Sequence, residues 1–101
     1  NSSHVWQKTD FIEDFVYISI EAARFLVELG VTLISVDYLS VGAYKGDVSE
    51  VHHALLEAGI WLIEGLDLSQ VSAGQYEMVC LPLKIVDGDG APARAVVRPV
   101  A

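Results

Sequence analysis

Two stretches of this chain repeat one pattern: apolar residues three and four apart, a glycine, then a short apolar run that ends in an acid. In the first, Ala22, Phe25, Leu26 and Leu29 recur at helical spacing and predict a helix that buries them on one face. Ser19 is placed to cap that helix, with Glu21 in its first turn, and Gly30 to end it. VTLISVD (31–37) then reads as a buried strand, rich in β-branched residues. In the second stretch, Val51, Ala54, Leu55 and Ala58 mark a helix that Asp47 or Ser49 can cap and Gly59 stops, and IWLIE (60–64) reads as another buried strand.

Ahead of the first helix, FVYISI (15–20) has the composition of a short strand. Between the two blocks, residues 38–48 show no period and form a loop on the carboxyl side of the first strand. The polar stretch DLSQVSAG (67–74) is a connection with no evident chemistry. Beyond it, YEMVCLPLKI (76–85) and ARAVVRPV (93–100) flank the turn-forming DGDGAP and predict a hairpin, with Pro82 and Pro99 at an edge or bulge because neither can donate to a ladder.

Strand, helix, strand in that order is a βαβ unit, which makes the two strands parallel with a right-handed crossover. The predicted fold class is therefore α/β, a parallel βαβ core plus a C-terminal hairpin. Asp37 and Glu64 end at one edge of that sheet, and open parallel sheets bind ligands at the carboxyl ends of their strands.

Composition narrows the possible partners. With 101 residues, 1–101 is expected to be a single domain. Hydrophobic residues make up 52% and the mean hydropathy is +0.42, so some apolar surface is expected to meet a partner. The net charge of −8 repels phosphate backbones and anionic headgroups, which argues against nucleic acid and membrane surfaces as partners. No segment is long enough to span a bilayer and NSSHVWQKTD is not a signal peptide, so a soluble, cytoplasmic protein is expected. Cys80, the single cysteine, sits in an apolar run and reads as a small buried thiol. A start at Asn1 fits a processed product or a fragment.

Chemistry concentrates on His52 and Glu64, twelve residues apart and joined by a helix, a glycine and a strand. On the second helix His53 falls opposite the apolar face, where it can pair with Glu57, while His52 lies at the margin and can project past the sheet edge. His52 is thus the better metal-ligand candidate, with a packed or surface histidine as the plain alternative. Glu64 ends an apolar strand and needs a cation, hydrogen bonds or solvent. Asp37 and Ser40 could line the same rim as substrate-pocket residues or could hold a turn. His4 and Trp6 lie in an irregular opening, where Trp6, Phe11 and Phe15 form an apolar arm. The DGDG run lacks the ligands of a calcium loop, and no Gly-x-Ser-x-Gly elbow, phosphate loop or Cys-x-x-Cys pair is present.

Taken together, NSSHVW, ISIEAARFLVELGVTLISVDYLSV, HHALLEAGIWLIEGLDLS and YEMVCLPLKIVDGDGAPARAVVR resemble the C-terminal half of the cyclase-like metal-dependent hydrolases, the family of bacterial kynurenine formamidase and isatin hydrolase. The resemblance runs from Asn1 to Arg98. It implies a divalent metal, zinc or manganese, that activates water against an amide or lactam bond, with His52 and Glu64 among its ligands and no catalytic residue of this chain beyond them.

The same resemblance implies an incomplete swivelling β/β/α fold, making 1–101 a single partial domain, and homodimers or tetramers. The family's other ligands and its catalytic histidine belong to a His-x-Gly-Thr-His-x-Asp type motif that nothing here matches. The chain alone is therefore expected to be inactive, its partner being the missing N-terminal half or a sister subunit. The competing reading is a stand-alone, self-associating binding protein from a truncated gene, with a rearranged two-layer oligomer as the alternative architecture.

Overall fold

In a computed structural model that describes residues 8–100, the element order is α1 (Ile20–Glu28), β1 (Leu33–Ser35), α2 (Val48–Glu57), β2 (Trp61–Ile63), β3 (Tyr76–Pro82) and β4 (Ala93–Pro99). His4 and Trp6 lie outside the described residues. The chain divides after Gln70 into two compact units, each with its own sheet.

The first unit is the expected parallel βαβ. Leu33 pairs with Trp61, Ile34 with Leu62 and Ser35 with Ile63. Both strands are only three residues long: Trp61 N–H to Thr32 O and Val36 N–H to Ile63 O are the end rungs of the parallel ladder, and beyond them Leu66 N–H returns to Val36 O. Gly30 and Gly59 end the preceding helices at φ +73° and +77°, a left-handed conformation that a side chain resists. Each terminator thereby turns the chain directly into its strand.

The core of this unit is Ala23, Val41, Val51, Leu55 and Ile60, with Ile34, Val36 and Leu62 packed on it from the sheet. Fully burying a residue such as Val51 or Leu55 stabilises by roughly 1.5–3 kcal/mol. The buried stripe of α1 differs from the predicted one. Ala23 is fully buried and Leu26 and Val27 are half-buried, whereas Ala22, Phe25 and Leu29 face outward, Phe25 at 58% and Leu29 at 60% exposure. Two stripes of α1, 20/23/27 and 22/25/29, are equally apolar and equally spaced. The small Ala23 side chain lets α2 approach closely with Val51 and Leu55, and that close packing selects the first stripe.

FVYISI also departs from expectation. Among the described residues, 15–19 join no ladder, and Ile18 N–H bonds Val41 O at 2.7 Å in the loop instead. Ser19 caps α1 as expected, its hydroxyl accepting from Ala22 N–H at 3.2 Å. Asp47 precedes α2 but makes no side-chain cap there. Its carboxylate accepts from Ile20 N–H at 3.2 Å, so it ties the start of one helix to the start of the other.

The second unit is the predicted hairpin, seven antiparallel pairs from Tyr76↔Pro99 to Pro82↔Ala93. Both prolines end their strands, where a missing donor breaks no interior rung. Across the ladder Glu77 accepts from Arg98 Nε at 2.6 Å, an exposed pair of small energetic weight. Cys80, expected to be buried, is half-buried, since its partner Ala95 is small and a two-stranded sheet has little depth.

Two predictions follow from α1. Ala23→Leu should cost about 1–3 kcal/mol by overpacking, while Phe25→Ala should change stability by less than about 1 kcal/mol, read from urea midpoints. The Glu21 carboxyl is held below the usual carboxylate range, first by a backbone N–H of its own residue, then by the Ser19 hydroxyl, with attraction to Arg24 last. A carboxyl lowered on folding stabilises above its unfolded pKa, and the contribution fades as pH falls through the lowered value. Amide protection at the start of α1, taken relative to intrinsic exchange at the same pH, should therefore fall on acidification below that range, and Glu21→Gln should remove this pH dependence.

Candidate functional site

The βαβ connection places His52, in the second turn of α2, and Glu64, just beyond β2, at the carboxyl edge of the sheet. His52 Nε2 and Glu64 Oε1 stand 3.2 Å apart, with side-chain exposures of 28% and 34%. His53, one residue along, is exposed, as its position opposite the apolar face requires.

Each partner is also held by a backbone group. His52 Nδ1 lies 2.8 Å from Val48 O, and a carbonyl only accepts, so the proton of this contact is on Nδ1. In a neutral ring Nε2 then presents its lone pair to a carboxylate oxygen. Two acceptors at that distance repel unless a proton or a cation lies between them. Glu64 Oε1 in turn accepts from Val41 N–H at 2.9 Å, the amide of a fully buried residue. The carboxylate that the sequence leaves needing a partner is thus anchored to the loop.

The pair fits a divalent cation as far as two donors can. Nitrogen and oxygen donors at about 2.1 Å from one ion stand roughly 3.0–3.4 Å apart at tetrahedral to octahedral angles. A ring whose other nitrogen is fixed by a carbonyl is the usual outer arrangement of a metal-bound histidine. Among the described residues, no group of three or more His, Cys, Asp or Glu side chains could hold a metal.

The other rim candidates lie on the loop between β1 and α2. Asp37 is buried, and Ser40 is half-buried with its hydroxyl accepting from Gly42 N–H at 3.2 Å. Beside them Phe11, Phe15, Tyr38 and Tyr44 form an aromatic group, with Phe15 and Tyr38 centroids 4.8 Å apart and Phe11 and Tyr44 4.9 Å apart. The Tyr38 hydroxyl accepts from Ile12 N–H at 2.9 Å, and Tyr38 O accepts from Gly65 N–H at 2.7 Å. An open cavity of about 290 Å³ lies against Lys8, Phe11, Tyr38 and Gly65. Sequence reasoning singled out Phe11 and Phe15 but neither tyrosine. It also missed the two backbone anchors, Val41 N–H and Val48 C=O, which carry no signal in residue type.

Known proteins resemble this chain in sequence and fold. No protein-family model matches the chain. Kynurenine formamidase of Bacillus cereus is 39% identical over 99 residues, 98% of this chain and 47% of that protein. Kynurenine formamidase of Salinibacter ruber is 42% identical over 97 residues, 96% of this chain and 46% of its own length. A solved structure described as a potential metal-dependent hydrolase with cyclase activity superposes with a TM-score of 0.82 at 34% identity, over 91% of this chain and 45% of that one. The structure of a predicted metal-dependent hydrolase from Bacillus stearothermophilus gives the same TM-score at 32% identity, over 95% and 45% of the two chains.

Fold and sequence thus relate the chain, over nearly all its length, to the cyclase-like metal-dependent hydrolases. Within that class its homologues are kynurenine formamidases, and the match fits a C-terminal half. The chain spans about half the length of the relatives it matches.

The Val41 anchor makes a prediction that is independent of any metal. Glu64→Ala leaves a buried N–H without an acceptor and should cost about 1–2 kcal/mol, whereas Glu64→Gln keeps an amide oxygen in reach and should cost less than half as much. Urea denaturation, with hydrogen exchange at the Val41 amide, distinguishes the two. Equal losses in both variants would remove Val41 from the account.

Proposed function

We propose that this chain supplies part of the site of a metal-dependent amide hydrolase of the kynurenine formamidase kind, with His52 and Glu64 as two ligands of a zinc or manganese ion. The observation that carries the reading is the 3.2 Å contact of His52 Nε2 with Glu64 Oε1, each side chain fixed from behind by a backbone group. The names of the homologues support the reaction class.

Bound at such a pair, the cation would lower the pKa of a coordinated water and polarise the amide carbonyl under attack. The chain's own part is to hold the donors. Val48 O keeps the His52 proton on Nδ1, so Nε2 is offered as a donor, and Val41 N–H fixes the Glu64 carboxylate facing it. Asp37 and Ser40 are the proposed pocket-side neighbours on the adjoining loop.

Two donors do not complete an open hydrolytic site, which uses three protein ligands and a position for water. We assign the remaining ligands and the proton-transferring group to the half of the relatives' length that this chain does not span, present in a covalently continuous or separate polypeptide or in a sister subunit of a homo-oligomer. Exposed apolar side chains such as Phe25, Leu29 and Trp61 suit such a covering partner. By itself the 101-residue stretch should not hydrolyse an N-formyl aromatic amine.

The test is cation binding and turnover, measured separately. Zinc titrated into the purified chain should bind weakly, with affinity falling tenfold or more in His52→Ala. Formamidase activity should appear only when a polypeptide matching the other half of a relative is added. Turnover by the chain alone would sink the assignment of missing ligands, and unchanged zinc affinity in His52→Ala would sink that of the pair.

A further inference from the structure

We propose that Gly42 is a positioning residue that sets the separation of His52 and Glu64, an inference resting on the reading of that pair as a cation site. The loop between β1 and α2 runs through Val41, Gly42 and Ala43, all buried. A Cβ on Gly42 would lie 2.9 Å from Val48 Cα, 3.0 Å from Val48 Cγ2 and 3.2 Å from Val48 Cβ. The loop backbone therefore rests directly on the first residue of α2. Gly42 is not among the glycines with positive φ, so its backbone is open to any residue and the requirement is for space alone.

Anchors for both donors flank that contact. Val41, immediately before Gly42, gives its N–H to Glu64 Oε1 at 2.9 Å, and Val48, against which Gly42 lies, gives its carbonyl to His52 Nδ1 at 2.8 Å. The distance between the two anchors is thus set by how closely residue 42 approaches residue 48. Carbon atoms in contact settle about 3.5–4.0 Å apart, so a methyl group at position 42 must push loop and helix apart by roughly 0.5–1 Å. A ligand pair tolerates about half an ångström of such error. Glu64 moves with Val41 and His52 with Val48, so the pair opens.

The decisive comparison is Gly42→Ala against Gly46→Ala in the same chain. A Cβ at Gly46 meets only Ala43 Cβ, at 3.1 Å, so it perturbs the same loop without touching Val48. Nuclear magnetic resonance of the Val41 amide and of the His52 ring nitrogens reads the two anchors directly, and zinc titration reads the pair. Gly42→Ala should shift the Val41 amide and the His52 nitrogens and weaken zinc tenfold or more, the range seen for groups that orient metal ligands. Gly46→Ala should leave all of these near wild type.

Wild-type resonances in a folded Gly42→Ala, or equal shifts in both variants, would overturn the proposal. Should Gly42→Ala fail to fold, Val48→Ala loosens the same contact from the helix side while keeping the carbonyl. It should move the same resonances in part, and unmoved resonances there would also overturn it. A wild-type chain that binds no zinc while Gly42→Ala still shifts both anchors would refute the cation reading and leave Gly42 as the spacer of the pair.

Discussion

The first unit depends on one buried residue of a loop. Val41 has no exposed surface, and its backbone donor and acceptor are both used: N–H to the Glu64 carboxylate, C=O from Ile18 N–H. Loops normally run over the surface because buried backbone polar groups need partners. The 41–43 stretch of this one is buried, and the Val41 backbone groups there have found them. Its neighbours extend the arrangement: Tyr38 holds Ile12 through its hydroxyl and Gly65 through its carbonyl, and Asp47 holds the first N–H of α1. The segment before α1, the start of α2 and the end of β2 are thereby fixed to one loop, and the sheet between them needs only three residues per strand.

That arrangement explains which sequence signals were legible. The glycine stops, the parallel pairing and the hairpin each rest on local chemistry, a left-handed terminator or an alternating run, and they stand where the pattern put them. The buried stripe of α1 does not, because both of its stripes are apolar, and the choice between them is made by Ala23 packing against α2. FVYISI has strand composition but pairs with no strand among the described residues. Its bonds into the loop, Ile18 N–H to Val41 O and Ile20 N–H to the Asp47 carboxylate, join it to a segment of no period.

For the candidate site the division is similar. Helix geometry separates His52 from His53, and the βαβ order brings His52 and Glu64 to one edge, so the pair was legible as residues. What holds it was not. Val41 and Val48 act through backbone atoms, and Gly42 acts through the absence of an atom. None of these has a motif, and all three depend on the fold being complete around them. The aromatic group shows the same limit: Phe11 and Phe15 are close in sequence, whereas Tyr38 and Tyr44 join them only because the loop folds back.

Two accounts of Glu64 then converge instead of competing. As a structural residue it satisfies Val41 N–H, and as a proposed ligand it faces His52 Nε2, and the same oxygen does both. A carboxylate oxygen has lone pairs enough for an N–H donor and a second positive partner. The amide restrains the side chain before any cation arrives, so ordering Glu64 is part of folding and adds little to the cost of binding. His52 is treated alike by Val48. On the proposed reading, half of a site would be shaped in advance, because the two side chains answer to the loop and the helix rather than to one another. On that reading, a completing polypeptide would add ligands to donors that Val41 and Val48 already hold.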